Sequence, residues 1–269
     1  MAQGEKGNIE VRRNNFEVLN MDVKKIAQKD NILKFLVRGV NAEFTNALRR
    51  TIMADVPILA IEDVSIYENS SILYDEFLTQ RLALIPLTTD LKTYKKGESA
   101  KMSIEKEGPC TVYSKDIKCS DPKIEVADKR IPIVRLLKGQ KLKLEMKAVM
   151  GLGKEHAKWQ PAVVSYRQLA TINVDKDCNL CGKCIENCAK KLLEAKAKKI
   201  VLETPLECDL CGKCRDVCNL RQLAIEYSKD DFLFMIESHG ALENADIIEK
   251  AVQILEEKNS DFRKEIKKL

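Results

Sequence analysis

The amino-acid sequence predicts an α+β protein with more than one domain, and three observations support this prediction. The chain has 269 residues, enough for two or three domains, since single domains run to roughly 100 to 200 residues. Short runs of alternating polarity, typical of strands, occupy much of the chain, and a few helical patterns lie among them. Eight of the ten cysteines fall between Cys178 and Cys218, which predicts a separate small domain there.

The composition is that of a globular protein and gives little support to a nucleic-acid or membrane protein. Apolar residues make up 45% of the chain and charged residues 32%. The net charge of +5 comes from 46 basic and 41 acidic residues that are mixed along the sequence, whereas a dedicated nucleic-acid binder clusters its cations. No apolar run approaches the roughly 18 residues of a spanning helix, and the N-terminus lacks the apolar centre of a secretory signal. We expect a cytoplasmic protein whose contact with DNA is at most indirect.

The N-terminal third is expected to contain two strands and two helices. The residues Asn31–Val37 alternate in polarity as a strand does, and Asn41 is a good N-cap for a helix that ends before Pro57. A long strand is predicted at Ile58–Tyr67 and a short helix at Asp75–Leu84. The first helix carries an apolar face at helical spacing, formed by Phe44, Ala47, Leu48 and Ile52.

The remainder outside the cysteines is predicted to be β-rich and then to end in a long helix. From Gly97 to Val149 short strand-like runs are separated by glycine and proline. A strand at Phe232–Ile236 precedes a helix at Ala245–Ile266. That helix has two neighbouring apolar stripes, one of Ala245, Ile248, Val252, Leu255, Phe262 and Ile266, the other of Ile247, Ala251 and Ile254. Two stripes suggest one contact with the chain's own core and one with another chain, and a single internal core is the alternative.

The cysteines belong to an internal repeat, CNLCGKCIENC at 178–188 and CDLCGKCRDVC at 208–218, with seven of eleven positions identical. Each copy reads C-x2-C-x2-C-x3-C, the spacing by which ferredoxin loops hold an iron-sulfur cube. Each copy follows a strand-like stretch, at 171–175 and 199–203, and precedes a short helical pattern. The repeat therefore predicts a duplicated, ferredoxin-like unit with two [4Fe-4S] clusters, of which one could be [3Fe-4S] or labile.

The spacing also predicts which cysteines share a cluster. One loop presents three thiolates, and in two-cluster ferredoxins the fourth comes from the other copy. Gly182 and Gly212 suit the tight backbone beside a cluster. The usual closing proline of the motif is replaced by Ala189 and Asn219, a departure that bears on the geometry of the fourth ligand. The predicted metal ligands are Cys178, Cys181, Cys184 and Cys218 for the first cluster and Cys208, Cys211, Cys214 and Cys188 for the second.

Two structural zinc sites are the alternative, because four cysteines also suit zinc. Zinc sites usually combine two C-x2-C knuckles across a longer spacer, so the spacing favours clusters. Cys110 and Cys119 stand apart, without further ligands nearby, and are expected to be plain thiols. His156 and His239 lack the companions of a nucleophilic site, and we expect both to be structural.

One long segment resembles the signature of the α-like RNA polymerase subunits: NAEFTNALRRTIMADVPILAIEDVSIYENSSILYDEFLTQRLALIPL at 41–87. The resemblance continues through GPCTVYSKDI at 108–117 and GKEHAKWQPA at 153–162, the latter in the archaeal and eukaryotic style. A ferredoxin-like insertion in this frame is similar to archaeal members of the family. The resemblance thus covers nearly the whole chain.

This resemblance implies three domains. A dimerisation domain is split between residues 1–52 and 228–269, a β-rich domain is inserted at 53–167, and the ferredoxin-like domain is inserted at 168–227. The first helix and one stripe of the last helix would face the smaller α-like partner, subunit L. The Leu-Arg-Arg stretch of the first helix would also contact the second-largest subunit. The candidate partner contacts are Phe44, Leu48, Arg49, Ile52, Ile248, Val252 and Leu255.

The function that the resemblance implies is assembly. With subunit L, such a chain forms the platform on which the second-largest subunit and the small subunits N and P gather, and no catalytic residue is expected on it. The sequence agrees, since close acidic pairs such as Asp175 with Asp177 lie in turn-like contexts, and no Gly-rich phosphate loop is present. The alternative is a ferredoxin-type electron-transfer protein or oxidoreductase subunit, although the flanks carry no flavin or nicotinamide fingerprint.

Overall fold

The structure is a computed structural model that describes residues 21–91, 93–94 and 98–269. The first twenty residues, part of the expected dimerisation domain, lie outside these ranges. The strands are β1 (Asp22–Lys29), β2 (Ile32–Arg38), β3 (Pro57–Asn69), β4 (Ser99–Glu107), β5 (Cys110–Tyr113), β6 (Lys118–Cys119), β7 (Pro132–Leu136), β8 (Lys141–Leu152), β9 (Ala162–Val174), β10 (Leu193–Lys196), β11 (Lys199–Leu202) and β12 (Leu223–Ser238). The α-helices are α1 (Ala42–Ala54), α2 (Asp75–Ala83), α3 (Lys183–Glu186), α4 (Lys213–Asp216) and α5 (Asn244–Ile266). None of these helices is long and apolar enough to cross a membrane.

The first sheet joins residues from both ends of the described chain. Its four antiparallel strands have the order β1-β2-β12-β9. The rings of Phe35 and Phe234 stack on neighbouring strands, with centroids 5.0 Å apart and planes inclined by 4°. Ile52 of α1 and Ile247 of α5 are fully buried in the same core. One face of the sheet is therefore covered by these two helices, which confirms the mixed helix and sheet composition.

The first helix begins where the sequence predicts. The Oδ1 atom of Asn41 accepts a hydrogen bond of 2.9 Å from the backbone N–H of Phe44. Such a bond satisfies one of the N–H groups that the first turn of a helix leaves free. The helix ends at Ala54, and Asp55 follows it.

The second sheet contains most of the β-rich middle of the chain. Its order is β3-β8-β4-β6, and β5 pairs with β7 beside it. Along β8 every second residue is buried, namely Leu142, Leu144, Met146 and Ala148. Leu78 and Leu82 of α2 are fully buried in the same core. One predicted strand-like run, at 124–126, forms only an isolated bridge between Val126 and Leu87.

The strands β9 and β12 form one long ribbon that leaves the first sheet and reaches the cysteine motifs. Pairing extends from Ala162 with Ser238 to Val174 with Leu223, with one interruption. The expected domain boundary between residues 167 and 168 therefore lies inside β9. The ribbon connects the first sheet directly to residues 168–227, called here the cysteine module.

The predicted helical pattern after each cysteine motif is placed differently in the structure. Single-turn helices lie within the motifs, where α3 follows Gly182 and α4 follows Gly212. A strand comes after each motif, β10 in the first copy and β12 in the second. The expectation of a helix after the motif was wrong, because the turn that buries the third cysteine is itself the helix.

Candidate metal centre

The two cysteine motifs share one backbone conformation. Three positions in the first copy have positive φ, Leu180 (56°), Gly182 (77°) and Lys191 (53°), and so do three in the second, Leu210 (58°), Gly212 (78°) and Arg221 (52°). Each residue of the first set lies 30 positions before its counterpart. Left-handed backbone is uncommon for residues with a side chain. Its recurrence at equivalent positions indicates that one structural unit is duplicated.

The cysteines of each motif differ in exposure according to their place in the loop. Cys184 and Cys214, the third cysteines, lie in the single-turn helices and are only 9% and 8% exposed. Cys181 and Cys211, the second cysteines, are exposed. Each loop therefore presents thiols both to the interior of the module and to its edge.

Two cavities of similar size lie in the cysteine module, and each is lined by four cysteines. The first cavity has a volume of about 190 Å³ and is lined by Cys178, Cys181, Cys184 and Cys218. The second has a volume of about 180 Å³ and is lined by Cys188, Cys208, Cys211 and Cys214. Each group contains three cysteines of one copy and the last cysteine of the other. These are the same groups that the spacing predicts from the sequence.

The module has little apolar core besides these cysteines. Its own cluster of buried residues consists of Leu193, Ile200 and Leu223 with Cys184 and Cys214, and the other buried apolar residues of 168–227 are Leu169, Ala170 and Leu192. A domain of this size without metals or disulfides is marginal, because it buries too little apolar surface. The thiols thus occupy places that a larger domain fills with hydrocarbon.

A zinc ion and a cubane cluster differ in how far apart they hold their four thiolates. A tetrahedral zinc ion with Zn–S bonds of about 2.3 Å draws its ligand sulfurs to about 3.8 Å from each other. No three His, Cys, Asp or Glu side chains in the described ranges converge closely enough to hold a single ion. A cubane holds its thiolates farther apart, since each one binds a different iron. Each cavity offers four cysteines, the number of ligands that either group requires.

The buried thiols are shifted toward their neutral form. Burial raises the pKa of Cys184, because the thiolate loses hydration, and nearby backbone N–H groups offset only part of this effect. The pKa of Cys214 is raised for the same reason. Thiolates at these positions need a positively charged partner, which a metal centre supplies.

Two cations at the second cavity were not found by sequence reasoning. Arg167 of β9 donates hydrogen bonds to the backbone carbonyls of Leu206 and Cys208. Lys190 donates to the carbonyl of Glu207 at 2.8 Å. Arg167 precedes Cys208 by 41 residues and binds carbonyl groups, which every residue has, so the sequence carries no signal for this contact. For Lys190, its position two residues after Cys188 was the one feature of the sequence that indicated a place near the predicted metal ligands.

The two remaining cysteines lie away from both cavities. Cys110 on β5 and Cys119 on β6 are half-buried in the β-rich region. The thiol of Cys110 lies 3.6 Å from the carbonyl oxygen of Glu107. The structure brings neither of them to the cysteine module.

Comparison with known proteins identifies the family. A family model described as the RNA polymerase Rpb3/RpoA insert domain matches residues 64–177. The DNA-directed RNA polymerase subunit Rpo3 of Methanosarcina acetivorans is 38% identical over 91% of this chain and 97% of its own length. The Rpo3 subunits of Pyrococcus furiosus and Archaeoglobus fulgidus are 35% and 36% identical, over 93% and 92% of this chain and 98% of their own lengths. The chain belongs to the archaeal Rpo3 family.

Rpo3 is the archaeal D subunit, so the resemblance found in the sequence is confirmed. Like other members of the Rpo3 family, this chain is a non-catalytic assembly subunit of DNA-directed RNA polymerase and acts in transcription. The relatives give no support to the alternative of an electron-transfer protein. The matched insert domain spans most of the second sheet and continues through β9.

The candidate partner contacts of this Rpo3-family chain divide into outward-facing and inward-facing residues. Phe44 on α1 and Val252 on α5 are 37% and 38% exposed, and Arg49, Ile248 and Leu255 are half-buried. Leu48 and Ile52 are instead buried in the chain's own core. These two side chains support α1 from within and do not form its outer surface, because they point at the first sheet. Ile248 and Leu255 are only partly buried but also pack against that core, so the candidate surface centres on Phe44, Arg49 and Val252.

The last helix presents a further apolar edge beyond these residues. From position 256 to the end of the chain every residue is exposed. Phe262 and Ile266, which continue the stripe of Val252, are 65% and 49% exposed. The other stripe is internal, since Ile247 and Ala251 are fully buried. The two predicted stripes thus have different surroundings, one inside the chain and one on its surface.

Proposed function

We propose that this chain is an iron-sulfur-containing platform subunit. Two [4Fe-4S] clusters occupy a ferredoxin-like domain at 168–227, with a β-rich domain at 53–167. A dimerisation domain composed of 1–52 and 228–269 pairs with subunit L. The pair binds the second-largest subunit and the small subunits N and P in the cytoplasm, and its contact with DNA is at most indirect.

The observation that carries the cluster proposal is the grouping of the eight cysteines around two cavities. Each cavity takes three thiols from one loop and the fourth from the other. A pair of ferredoxin cubes requires this crossed set of ligands. Zinc sites usually combine two C-x2-C knuckles across a longer spacer, whereas each copy here has three cysteines at successive x2 steps and a fourth at x3.

The clusters are proposed to stabilise the cysteine module rather than to take part in a reaction. When bound, a cluster supplies iron–thiolate bonds, and the free energy of these bonds becomes folding free energy where the apo domain has too small a core. The chain contributes eight thiols, the left-handed turns that aim them, and the β9–β12 ribbon that holds both loops at one end of the first sheet.

Iron and acid-labile sulfide analysis of anaerobically purified protein tests the cluster proposal, together with EPR of the reduced protein. We expect about four iron and four sulfide per cluster and two clusters per chain. Stoichiometric zinc without sulfide would contradict the proposal. Chelation of the metal is expected to unfold the cysteine module while the first sheet stays folded, which amide hydrogen exchange can resolve by region.

The partner proposal rests on the exposed stripe of α5. A stripe of large apolar residues on a helix with no covering element is typical of a surface that another chain buries. Phe44 and Val252 lie on the two helices that the family resemblance assigns to subunit L. Membership of the Rpo3 family supports the proposal, because a subunit of a multi-subunit RNA polymerase has to contact other chains.

Co-expression with subunit L tests the partner proposal. A stable 1:1 heterodimer is expected in size-exclusion chromatography with light scattering. A chain that stays monomeric in the presence of subunit L would rule out the split dimerisation domain. Pulldown of the second-largest subunit and of subunits N and P with the heterodimer, compared with the single chain, then tests the platform.

A further inference from the structure

The loop that starts the second cysteine motif is fastened to the first sheet by Arg167. This residue lies on β9, and its guanidinium donates from Nη2 to the carbonyl of Leu206 and from Nη1 to the carbonyl of Cys208. A guanidinium offers two donors in a rigid fork, whereas a lysine ammonium acts as a point charge. The fork fixes two carbonyls of one turn at the same time. The backbone position of Cys208 therefore depends on β9.

An apolar contact holds the same turn against the same sheet. The side chain of Leu206 packs against Leu36, Leu169 and Leu233. Leu36 and Leu233 alternate along β2 and β12 with residues that face α1 and α5, so this contact lies on the opposite face of the sheet. Leu206 and Arg167 together dock the second loop on the main body of the chain.

Lys190, which belongs to the cysteine module itself, also binds the second loop. Its Nζ atom donates to the carbonyl of Glu207 at 2.8 Å and lies 2.6 Å from Oδ2 of Asp209. Lys190 follows Cys188, which lines the second cavity with Cys208. The two segments that meet at this cavity are thus bonded to each other as well as to β9.

Within the described part of the chain, the first loop has no equivalent of the contacts made by Arg167 and Lys190. The counterpart of Lys190 is Leu220, which is 53% exposed, and the counterpart of Asp209 is Asn179. The side-chain oxygen of Asn179 accepts a hydrogen bond of 3.2 Å from the N–H of Cys181, within its own loop. Among the described residues, no side chain of the first sheet donates to the backbone at 177–181. The two repeats share a backbone conformation but differ in how they are anchored.

We propose that Arg167 is a positioning residue for the second cluster site and makes the two sites unequal, so that the second cluster is retained under conditions that remove the first. The inference rests on the proposed function, since it requires clusters in both cavities. It adds an order of cluster loss and a residue outside the motifs that sets this order.

The experiment measures cluster retention in the full-length chain in complex with subunit L. Arg167→Gln removes the charge and the fork, and Arg167→Lys keeps the charge alone. In Arg167→Gln purified anaerobically, both clusters are expected to be present, and on oxygen exposure the slower wild-type phase of iron and sulfide loss should accelerate several-fold, toward the rate of the faster phase. Arg215→Gln is the matched control, because Arg215 lies in the second motif and its ion pair within the described part of the chain is with its neighbour Asp216. It should leave both phases of loss unchanged.

Variants that keep one cluster site each show at which site Arg167→Gln changes the rate of cluster loss. Cys178→Ser with Cys181→Ser leaves only the second site, and Cys208→Ser with Cys211→Ser leaves only the first. Adding Arg167→Gln should speed cluster loss several-fold in the chain that keeps the second site and leave the rate unchanged in the other. Equal acceleration in both chains, or none in either, would overturn the inference. If the single-site chains lose all iron, the two phases of cluster loss in Arg167→Gln decide: an unchanged slower phase, or equal acceleration of both phases, overturns the inference.

The reduction potential separates positioning from a general structural role. A cation near a cluster favours the reduced and more negative state. We expect Arg167→Gln to lower the midpoint potential of the second cluster. Arg167→Lys should return this potential closer to the wild-type value than it returns the rate of cluster loss, because it restores the charge but not the fork. The iron and sulfide content of the wild-type chain is measured before any variant is compared. A wild-type chain without clusters would overturn the proposed function itself and not only the role of Arg167.

Discussion

Lys258 of α5 donates a hydrogen bond of 2.7 Å to Oδ2 of Asp55, the residue that follows α1. Lys154, just beyond β8, places its Nζ atom 3.4 Å from the other carboxylate oxygen. Burial raises the pKa of Asp55, but its bonds to the two lysines outweigh burial and leave the pKa below the usual value. One carboxylate thus joins the end of α1 to α5 and to the second sheet.

This carboxylate predicts a stability that depends on pH. A carboxyl group with a lowered pKa in the folded state stabilises the fold above its unfolded pKa of about 3.9, and this contribution is lost as the pH falls through the folded pKa. Asp55→Asn should lower the free energy of unfolding by about 1 kcal/mol at neutral pH. Urea unfolding over a series from about pH 7 to about pH 3 should show the difference from wild type shrinking toward the acid end.

The control for this prediction is a carboxylate that bonds only along its own helix. Asp261→Asn removes an exposed pair with Lys264 in α5 and should change the unfolding free energy by less than about 0.5 kcal/mol. Equal effects of the two substitutions at all pH values would show that Asp55 does not connect the helices energetically.

Substitution of a motif cysteine is predicted to impair metal binding but not dimerisation, because the two properties depend on different parts of the chain. Cys181→Ser or Cys211→Ser should lower the iron content by about half and increase the protease sensitivity of the cysteine module, since metal binding and folding are coupled there. The heterodimer with subunit L should still form, because the exposed stripe of α5 lies on another part of the chain. Iron analysis and size-exclusion chromatography measure the two effects.

Cys110→Ser and Cys119→Ser are the matched controls, since both cysteines lie outside the two cavities. They should leave the iron content unchanged. A motif variant that fails to dimerise from the outset would mean that the clusters govern assembly directly.

Local signals explain which parts of the fold could be predicted from the sequence. Asn41 was predicted as a helix cap because a side-chain acceptor before an apolar face is sufficient evidence at short range, and the structure places the bond there. The alternation of Leu142, Leu144 and Met146 likewise fixes which face of β8 is buried. The motif spacing also predicts which cysteines lie together, since each cavity is lined by three cysteines of one copy and the last cysteine of the other.

The features that could not be predicted from the sequence depend on packing between residues that are far apart along the chain. The direction in which Leu48 and Ile52 point depends on the first sheet, whose strands come from positions as distant as Ile32 and Ser238. Periodicity showed that these residues lie on one face of α1 but could not show whether that face meets the chain's own core or a partner. The continuous pairing of β9 with β12 was missed for the same reason, because strand pairing over such a separation leaves no local pattern.

Replacing a glycine of the cysteine motifs by alanine is predicted to destabilise the loop through its left-handed backbone conformation and not through a clash of the added Cβ with protein atoms. Gly182 has a φ of +77°, and among the described residues, its two chain neighbours aside, no heavy atom lies within 4 Å of the position that an added Cβ would occupy. Gly182→Ala should therefore destabilise the folded loop by about 1 kcal/mol through backbone strain alone and speed the loss of iron. Gly139→Ala is the matched control, because Gly139 has a φ of +81° and equally open surroundings in the turn before β8. It should cost similar stability but leave iron loss unchanged, and identical iron loss in both variants would contradict the prediction.

The two stripes of α5 predict opposite consequences for the same change of side chain. Val252→Asp places a carboxylate on the exposed stripe, so the chain should fold normally while its affinity for subunit L falls at least about tenfold, or about 1.4 kcal/mol. Ala251→Asp places the same carboxylate in the core, where Ala251 is fully buried, and should destabilise the chain itself by several kcal/mol in rough terms. Glu257→Gln, at an exposed position of the same helix, should change neither property. Thermal unfolding of the single chain and titration calorimetry with subunit L separate the outcomes. An unchanged affinity in Val252→Asp would remove this stripe from the interface.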